Sequence, residues 1–340
     1  MSQNKDKICL LAIESSCDDT GAAVVINGKM HSNVVATQKI HQQYGGVVPE
    51  LASREHLQNI IPVVSEALKR ANITTGDLSA VAYAQGPGLM GSLMVGSSYS
   101  RALSSALNIP NIGVDHLKAH VMAHFIDEPK PEFPFVCLLV SGGHTQIILV
   151  KDYDKMEIIG KTHDDAAGEA FDKTAKMMGL PYPGGPLIDK YAQLGNPEAY
   201  SFSFAKMPGF DYSFSGFKTA VLYFLRDNMA NDSTFLETNL NDICASIQRH
   251  IVTALLKNLK RAVRDCGVNQ VALAGGVAAN SELRNSFLKM GEDYQWETFI
   301  PSFEYCTDNA AMIAIAGHYA FLNHDFSSLD EVPYARTIFR

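Results

Sequence analysis

His116 and His120, in the run Asp115-His116-Leu117-Lys118-Ala119-His120, are spaced to share one metal ion. Four residues apart on a helix, two imidazoles stack on one face. Asp115 predicts the N-cap of that helix, and Ile112-Gly113-Val114 before it reads as a strand end, so the pair sits at a strand-to-helix corner. The H-E-x-x-H zinc proteases use this spacing with the glutamate as general base. Here Leu117 stands where that glutamate belongs. Nothing is left to take the proton of a metal-bound water, so the protease reading loses its chemistry while the metal reading survives. Two ordinary surface histidines are the plain alternative. His124 continues the series, but a separation of eight residues is a helical rise of about 12 Å, too far to share an ion with His116. A third ligand must come from elsewhere.

Other segments offer complementary chemistry. Ser141-Gly142-Gly143-His144-Thr145 has two glycines that let a ligand approach the backbone, with Ser141 and Thr145 as hydroxyl donors, which suits a nucleotide phosphate; a tight hairpin is the alternative. Gly275-Gly276-Val-Ala-Ala-Asn280 follows a strand and enters a helix, and Asn280 can donate and accept toward a purine or ribose, or merely cap the helix together with Ser281. Its spacing is not G-x-G-x-x-G, so no dinucleotide fold is indicated. Glu169, Asp172 and Lys173 lie on a helix shortly before Gly184-Gly185-Pro186 and Asp189, where carboxylates could bind ribose hydroxyls or simply be solvated. In Cys306-Thr307-Asp308-Asn309, Asp308 is placed to cap the last apolar helix or to supply the missing metal ligand. Asp18 and Asp19 share the first hairpin turn with Glu14, and acids so close to a phosphate site call for a cation or a proton-transfer role.

The elements that must hold these residues repeat. Ile8–Ile13, the polar turn 14–20 and Ala22–Ile26 follow the same plan as Phe135–Val140, the turn 141–145 and Ile147–Val150. Each pair opens a mixed strand and helix segment, which predicts an internally duplicated α/β fold with a cleft between its halves. Helices are expected over 49–71, 90–106, 167–178, 215–226, 240–264 and 309–322, and strands over 78–84 and 270–274. No apolar run approaches 18 residues, the start is neither a signal nor a transit peptide, and six scattered cysteines suit free thiols. A cytoplasmic protein away from membranes is expected. The net charge of −8 argues against a general nucleic-acid coat, although Lys257, Lys260, Arg261 and Arg264 fall at helix spacing, either as a solvated face or as an RNA contact.

Together the segments resemble the tRNA threonylcarbamoyladenosine transferase family of the bacterial TsaD type, once labelled a glycoprotease. The motifs, in order, are Ile13–Thr20, Gly45–Arg54, Gln85–Leu89, Asp115–His120, Leu139–Thr145, Asp165–Lys173, Tyr182–Pro186, Phe214–Lys218, Ala274–Asn280 and Cys306–Asn309. The resemblance implies an actin/Hsp70/sugar-kinase-like fold of two RNase H-like halves, one formed by 1–115 plus about 320–340 and the other by 116–319. It implies transfer of a threonylcarbamoyl group from threonylcarbamoyl-AMP to N6 of the adenosine beside the tRNA anticodon. By that carry-over His116, His120 and Asp308 bind one divalent metal ion, Fe(II) before Zn(II). Leu139, Val140, Ser141, Gly142, Gly143, Asp172, Gly185, Asp189 and Asn280 then line the nucleotide-bearing donor. Asp18, Asp19 and His144 are the candidates to take the proton from N6. The family's bacterial members work with a dimerising paralogue of the TsaB type and a small P-loop ATPase of the TsaE type. Family members often carry Glu where this chain has Asp19 and Lys118. The rival class is an ATP-hydrolysing regulatory or chaperone module of the same fold, with a metalloprotease further behind.

Overall fold

Cys9–Glu14 (β1) is an unbroken apolar run ending in an acid, and all of its side chains are buried. A strand covered on both faces reads this way. Leu10 and Ala12 point into one core with the C-terminal helix. Cys9, Leu11 and Ile13 point into the opposite core, against Ile60, Val63, Val64 and Ala67 of the first helix.

The computed structural model describes residues 7–336. The expectation for the polar opening therefore lies largely outside the described residues, as do the outer ends of the expected first half. Contacts divide the chain into two units, Met1–Lys130 with Pro301–Arg340, and Pro131–Ile300.

The first unit carries β1, Asp19–Ile26 (β2), Lys29–Thr37 (β3), Pro49–Arg70 (α1), Ala80–Gly86 (β4), Met90–Leu107 (α2), Asn111–Asp115 (β5) and His116–Met122 (α3). Its sheet runs β3-β2-β1-β4-β5, with β1 antiparallel to β2 and parallel to β4. The second unit carries Phe135–Val140 (β6), Thr145–Val150 (β7), Met156–Lys161 (β8), Ala167–Met177 (α4), Gly185–Ala192 (α5), Ser215–Asn231 (α6), Phe235–Cys266 (α7), Gln270–Ala274 (β9), Ser281–Tyr294 (α8) and Glu297–Phe299 (β10). Its sheet runs β10-β9-β6-β7-β8, again with an antiparallel meander on one side of the first strand and parallel strands on the other. Strand for strand the order is that of the first sheet, so the duplication expected from the two hairpins extends to whole units.

Phe303–Cys306 (α9) and Ala310–Leu322 (α10) return to the first unit. Ala310 to Ile315 are all buried, as befits a helix apolar on every side. Gly317 lets α10 touch the sheet, since a Cβ there would lie 2.6 Å from that of Ala82. The expected halves divide at 115/116, with the C-terminal helix over 309–322 crossing back to the first. Contacts place the division at Lys130/Pro131, so α3 stays with the first unit and α10 packs there, because Ala119 and Ala123 share a core with Ala310–Ala314 and β1. Among the described residues no helix is long and apolar enough to cross a membrane, and all six cysteines are free.

Candidate metal centre and glycine turn

Asp115 ends β5 and caps α3, its Oδ1 accepting from Leu117 N at 2.9 Å and Lys118 N at 3.0 Å. Tyr334 from the C-terminal segment donates to the other oxygen at 2.7 Å, so the helix start is held from both sides. The cap fixes where α3 begins and therefore where His116 and His120 project, one turn apart, with ring centroids 4.8 Å from each other and planes at 85°.

Asp308 meets them from the far end of the sequence. Its Oδ1 lies 3.2 Å from His120 Nε2 and 3.5 Å from His116 Nε2. One ligand atom from each of the three residues falls within 4.8 Å of the others, so the group could hold a metal ion. Asp308 is not a helix cap. That task belongs to Asn309, whose Oδ1 accepts from Met312 N at 3.1 Å, which leaves the aspartate free to face the histidines.

Behind His116 stands Glu14, fully buried at the end of β1, with Oε2 3.1 Å from His116 Nδ1 and Oε1 accepting from Ser16 N at 2.5 Å. This is the carboxylate–histidine arrangement that fixes a ring so that its other nitrogen faces a metal. Burial pushes the His116 imidazole down, but Glu14 and Asp308 outweigh it and hold the ring well above its ordinary range. Burial likewise raises the Asp308 carboxyl, and the two histidines more than reverse it. A fully buried and a partly buried carboxylate around two buried imidazoles demand positive charge, which either a proton or a metal ion satisfies. Two imidazoles and one carboxylate form a donor set that fits a divalent transition metal. Leu117, at the position of a protease base, is fully buried.

The turn 15–19 beside this centre is tied to α1 by His56. The His56 ring faces Cys17 O at 3.0 Å through Nε2 and Thr20 Oγ1 at 2.8 Å through Nδ1. A carbonyl can only accept, so Nε2 carries the proton and the hydroxyl donates to Nδ1. Burial pushes this imidazole down, in keeping with the neutral form. Asp19 opens β2 with Oδ1 buried and lacking a hydrogen-bond partner. Burial pushes its carboxyl up to about 7, against a hydrogen bond from Thr37 and with help from the charges of Asp308, Asp18 and Glu14.

In the second unit, residues 141–144 form the β6–β7 turn, closed by Ser141 N donating to His144 O at 2.8 Å and His144 N to Ser141 Oγ at 3.2 Å. A Cβ added at Gly142 or Gly143 would meet nothing within 4 Å, so these glycines face open space and the protein's own packing does not require them. Leu139 and Val140 are fully buried strand residues that lead into the turn, so neither offers accessible surface to a ligand. Thr145 is not a free donor as expected: it is buried, and its Oγ1 accepts from Ala167 N at 2.9 Å, pinning the start of α4. Gly168 and Gly275 bring α4 and the loop after β9 against the turn, since a Cβ at either would lie 2.5 Å from Ser141 O or 2.4 Å from Val140 O.

The polar residues nearby are structurally engaged. Asp172 Oδ1 accepts from Gly184 N at 2.8 Å and Gly185 N at 3.1 Å, shaping the start of α5. Asp189 receives Ser281 Oγ at 2.6 Å and Ser281 N at 3.0 Å on separate oxygens. Asn280 caps α8 through Leu283 N at 2.9 Å and donates to Gln248 Oε1 at 2.8 Å. Asp165, flagged only as the start of a motif, receives Lys173 at 2.8 Å and Lys218 at 2.6 Å, tying two sequence motifs into one cluster. Glu14, His56 and Lys218 were not foreseen as partners. For Glu14 a signal existed, an acid closing a fully apolar strand.

Comparison with known proteins places these features in a family context. Residues 29–315 match the family described as tRNA N6-adenosine threonylcarbamoyltransferase. Proteins of that name from Cytophaga hutchinsonii and Christiangramia forsetii are 58% and 59% identical, over 99% and 97% of this chain and 98% of each relative. One from Desulfotalea psychrophila is 46% identical over 99% of both chains. Among solved structures, full-length HypF in its phosphate- and nucleotide-bound form gives a TM-score of 0.65 at 14% identity, over 94% of this chain and 47% of HypF. The Acidaminococcus fermentans (R)-2-hydroxyglutaryl-CoA dehydratase component A gives 0.51 at 16% identity, over 93% and 98% of the two chains. At such identities these two likenesses speak for the fold alone, the duplicated α/β fold of actin/Hsp70/sugar-kinase type.

Proposed function

Because the chain belongs to the tRNA N6-adenosine threonylcarbamoyltransferase family, we propose that it transfers a threonylcarbamoyl group from threonylcarbamoyl-AMP to N6 of adenosine 37 in tRNAs reading codons that begin with adenine, forming N6-threonylcarbamoyladenosine and releasing AMP. The observation that carries this reading is the relatedness itself, which at 46–59% identity runs through both units.

Adenine N6 is a weak nucleophile, since its lone pair is delocalised into the ring, and the donor's mixed anhydride already contains a good leaving group. What the chain must add is orientation, donors for the developing charge, and removal of a proton. The turn at Gly142 and Gly143, where an added Cβ would meet nothing of the protein, suits close approach of the donor phosphate to the backbone. Asp172, Asp189 and Asn280 serve by holding the surrounding helix starts, and Gly185 by presenting backbone beside Asp172. His116, His120 and Asp308 would hold a divalent ion, Fe(II) before Zn(II), with Glu14 orienting His116. Bound there, the ion would supply a Lewis acid for a phosphate or carbonyl oxygen. Asp18, Asp19 and His144 remain the candidates to relieve N6 of its proton, and Asp19, pushed up to about 7, is tuned for it near neutral pH.

The six free thiols suit a reducing cytoplasm. A dimerising paralogue and a small P-loop ATPase are the proposed partners. In support of a protein partner, α1 exposes Leu57 and Ile61, α2 exposes Met90 and Met94, and the helices pack together where Gly91 meets Ser53. The ATP-hydrolysing alternative is not favoured, because the relatives named above are all transferases.

Purified protein given threonylcarbamoyl-AMP and unmodified tRNA, with and without the partners, should yield the modified nucleoside by mass spectrometry together with AMP. Release of ADP from ATP without RNA, and no modified nucleoside under any condition, would sink the transferase reading.

A further inference from the structure

A groove of about 640 Å³ runs along α7 within the second unit, one wall being segment 198–214 and the other the helix from Arg249 to Arg261. Arg249, Lys257 and Arg261 lie on one row of the helix, spaced by multiples of four residues, over a length of about 18 Å. Lys206 enters from the facing segment.

The acids that share the groove already have partners. Glu198 pairs with Arg249, and Asp211 accepts from Lys161 N at 2.9 Å and meets His163 Nε2 at 2.6 Å. Lys206 and Lys257, by contrast, make no hydrogen bond or ion pair among the described residues. The Arg261 guanidinium has Asn258 Oδ1 at 3.4 Å and lies over the Phe210 ring at 5.5 Å, an arrangement that leaves most of its donors available. In a chain of net charge −8, cations without acidic partners along one groove are a local reversal of sign.

The groove also offers rings. Phe204, half-buried in the lining, is stacked on Phe217 at 4.6 Å with planes 7° apart, so it is braced from behind. Spaced cations beside braced aromatic rings suit a phosphodiester strand with unstacked bases better than an acidic peptide, which would use the charges and leave the rings idle.

We propose that this groove binds the RNA substrate through its phosphodiester backbone, with Lys206, Lys257 and Arg261 on phosphates and Phe204 against a base or ribose. The inference rests on the tRNA-modifying reading above, and it assigns Lys257 and Arg261 of the basic run a role that the sequence left open between solvated face and RNA contact, whereas Lys260 and Arg264 pack on the Tyr294 ring outside the groove.

Binding of an unmodified tRNA transcript to the full chain, followed by fluorescence anisotropy from 50 to 200 mM salt, tests it directly. The double variant K257E/R261E should bind at least about tenfold more weakly near 0.1 M salt. Its log–log salt slope should be shallower by about 1.4–1.8, as two lost phosphate contacts require. K257R/R261K should bind like wild type, and AMP binding, unchanged in all variants, controls for folding. Wild-type affinity and slope in K257E/R261E would overturn the proposal, as would failure of the wild type to bind tRNA at the lowest salt. Loss of binding to an acidic protein with tRNA affinity intact would also overturn it and give the groove to a protein partner. Transfer is assayed in parallel: a wild type that binds tRNA through the groove yet makes no modified nucleoside refutes the proposed reaction while leaving the groove in place.

Discussion

Glu14 touches no proposed ligand-binding atom, yet it determines how His116 presents itself. With its carboxylate 3.1 Å from Nδ1, the ring is fixed with Nε2 toward Asp308. Glu14→Gln preserves the shape but removes the charge, and losses of about 10–100-fold in metal affinity are typical of such outer partners. Metal content after dialysis against a graded chelator should show that loss while circular dichroism stays unchanged; a variant that retains metal like wild type would remove Glu14 from the site. Asp19 makes a second, independent prediction. Its carboxyl, pushed up to about 7 by burial, is protonated below that pH and cannot accept the N6 proton there. If Asp19 is the acceptor, single-turnover transfer should rise about tenfold per pH unit up to about 7 and then level off. Asp19→Asn should be slow and lose that slope. The same slope and rate in the variant would transfer the role to Asp18 or His144.

At the level of elements, the turn between β6 and β7 separates ligand contact from stability. Since a Cβ at Gly143 meets nothing of the protein, Gly143→Ala should change unfolding free energy by no more than about 0.5 kcal/mol. The added methyl would stand where the phosphate approaches the backbone and push it out of hydrogen-bond reach; a lost contact to a charged phosphate is worth about 1.5–3 kcal/mol, so AMP affinity, read by calorimetry, should fall by about tenfold or more. Undiminished affinity would mean that the phosphate lies elsewhere. Strong periodicity made most elements legible: β6 and β9 have the expected bounds, and α1, α2, α4 and α10 differ by about a residue. What escaped was edge and short structure. β3, with half its side chains in water, and the three-residue β10 bury too little to mark themselves in the sequence. The metal-type group was legible because two of its members share a helix turn. Glu14, 102 residues from His116, and Lys218, 53 from Asp165, were hidden because their pairing depends on tertiary folding, not local spacing. The polar residues after β9 were legible as candidates but not as to task, since one Asn can cap a helix or bind a base with the same atoms.

For the molecule as a whole, the proposed protein partner calls for an exposed apolar surface, and the first unit carries one. Leu57 and Ile61 on α1 are 64% and 61% exposed, and Met90 and Met94 on α2 are 45% and 48% exposed. Apolar pairs on two packed helices are costly to leave in water, and burying four such side chains against a partner is worth several kcal/mol at about 25 cal/mol per Å². The double variant L57E/M94E alters only exposed positions, so it should fold and bind AMP as wild type does. It should no longer co-elute with the dimerising paralogue in size-exclusion chromatography, and addition of the paralogue, which should raise wild-type turnover, should leave its turnover unchanged. Because the substitutions lie on α1 and α2 and the basic groove lies on α7, the intrinsic salt dependence of tRNA binding should be untouched. A variant that co-elutes and is stimulated like wild type would show that the partner docks elsewhere, while a loss of AMP binding would show that the substitutions had disturbed the fold and not an interface.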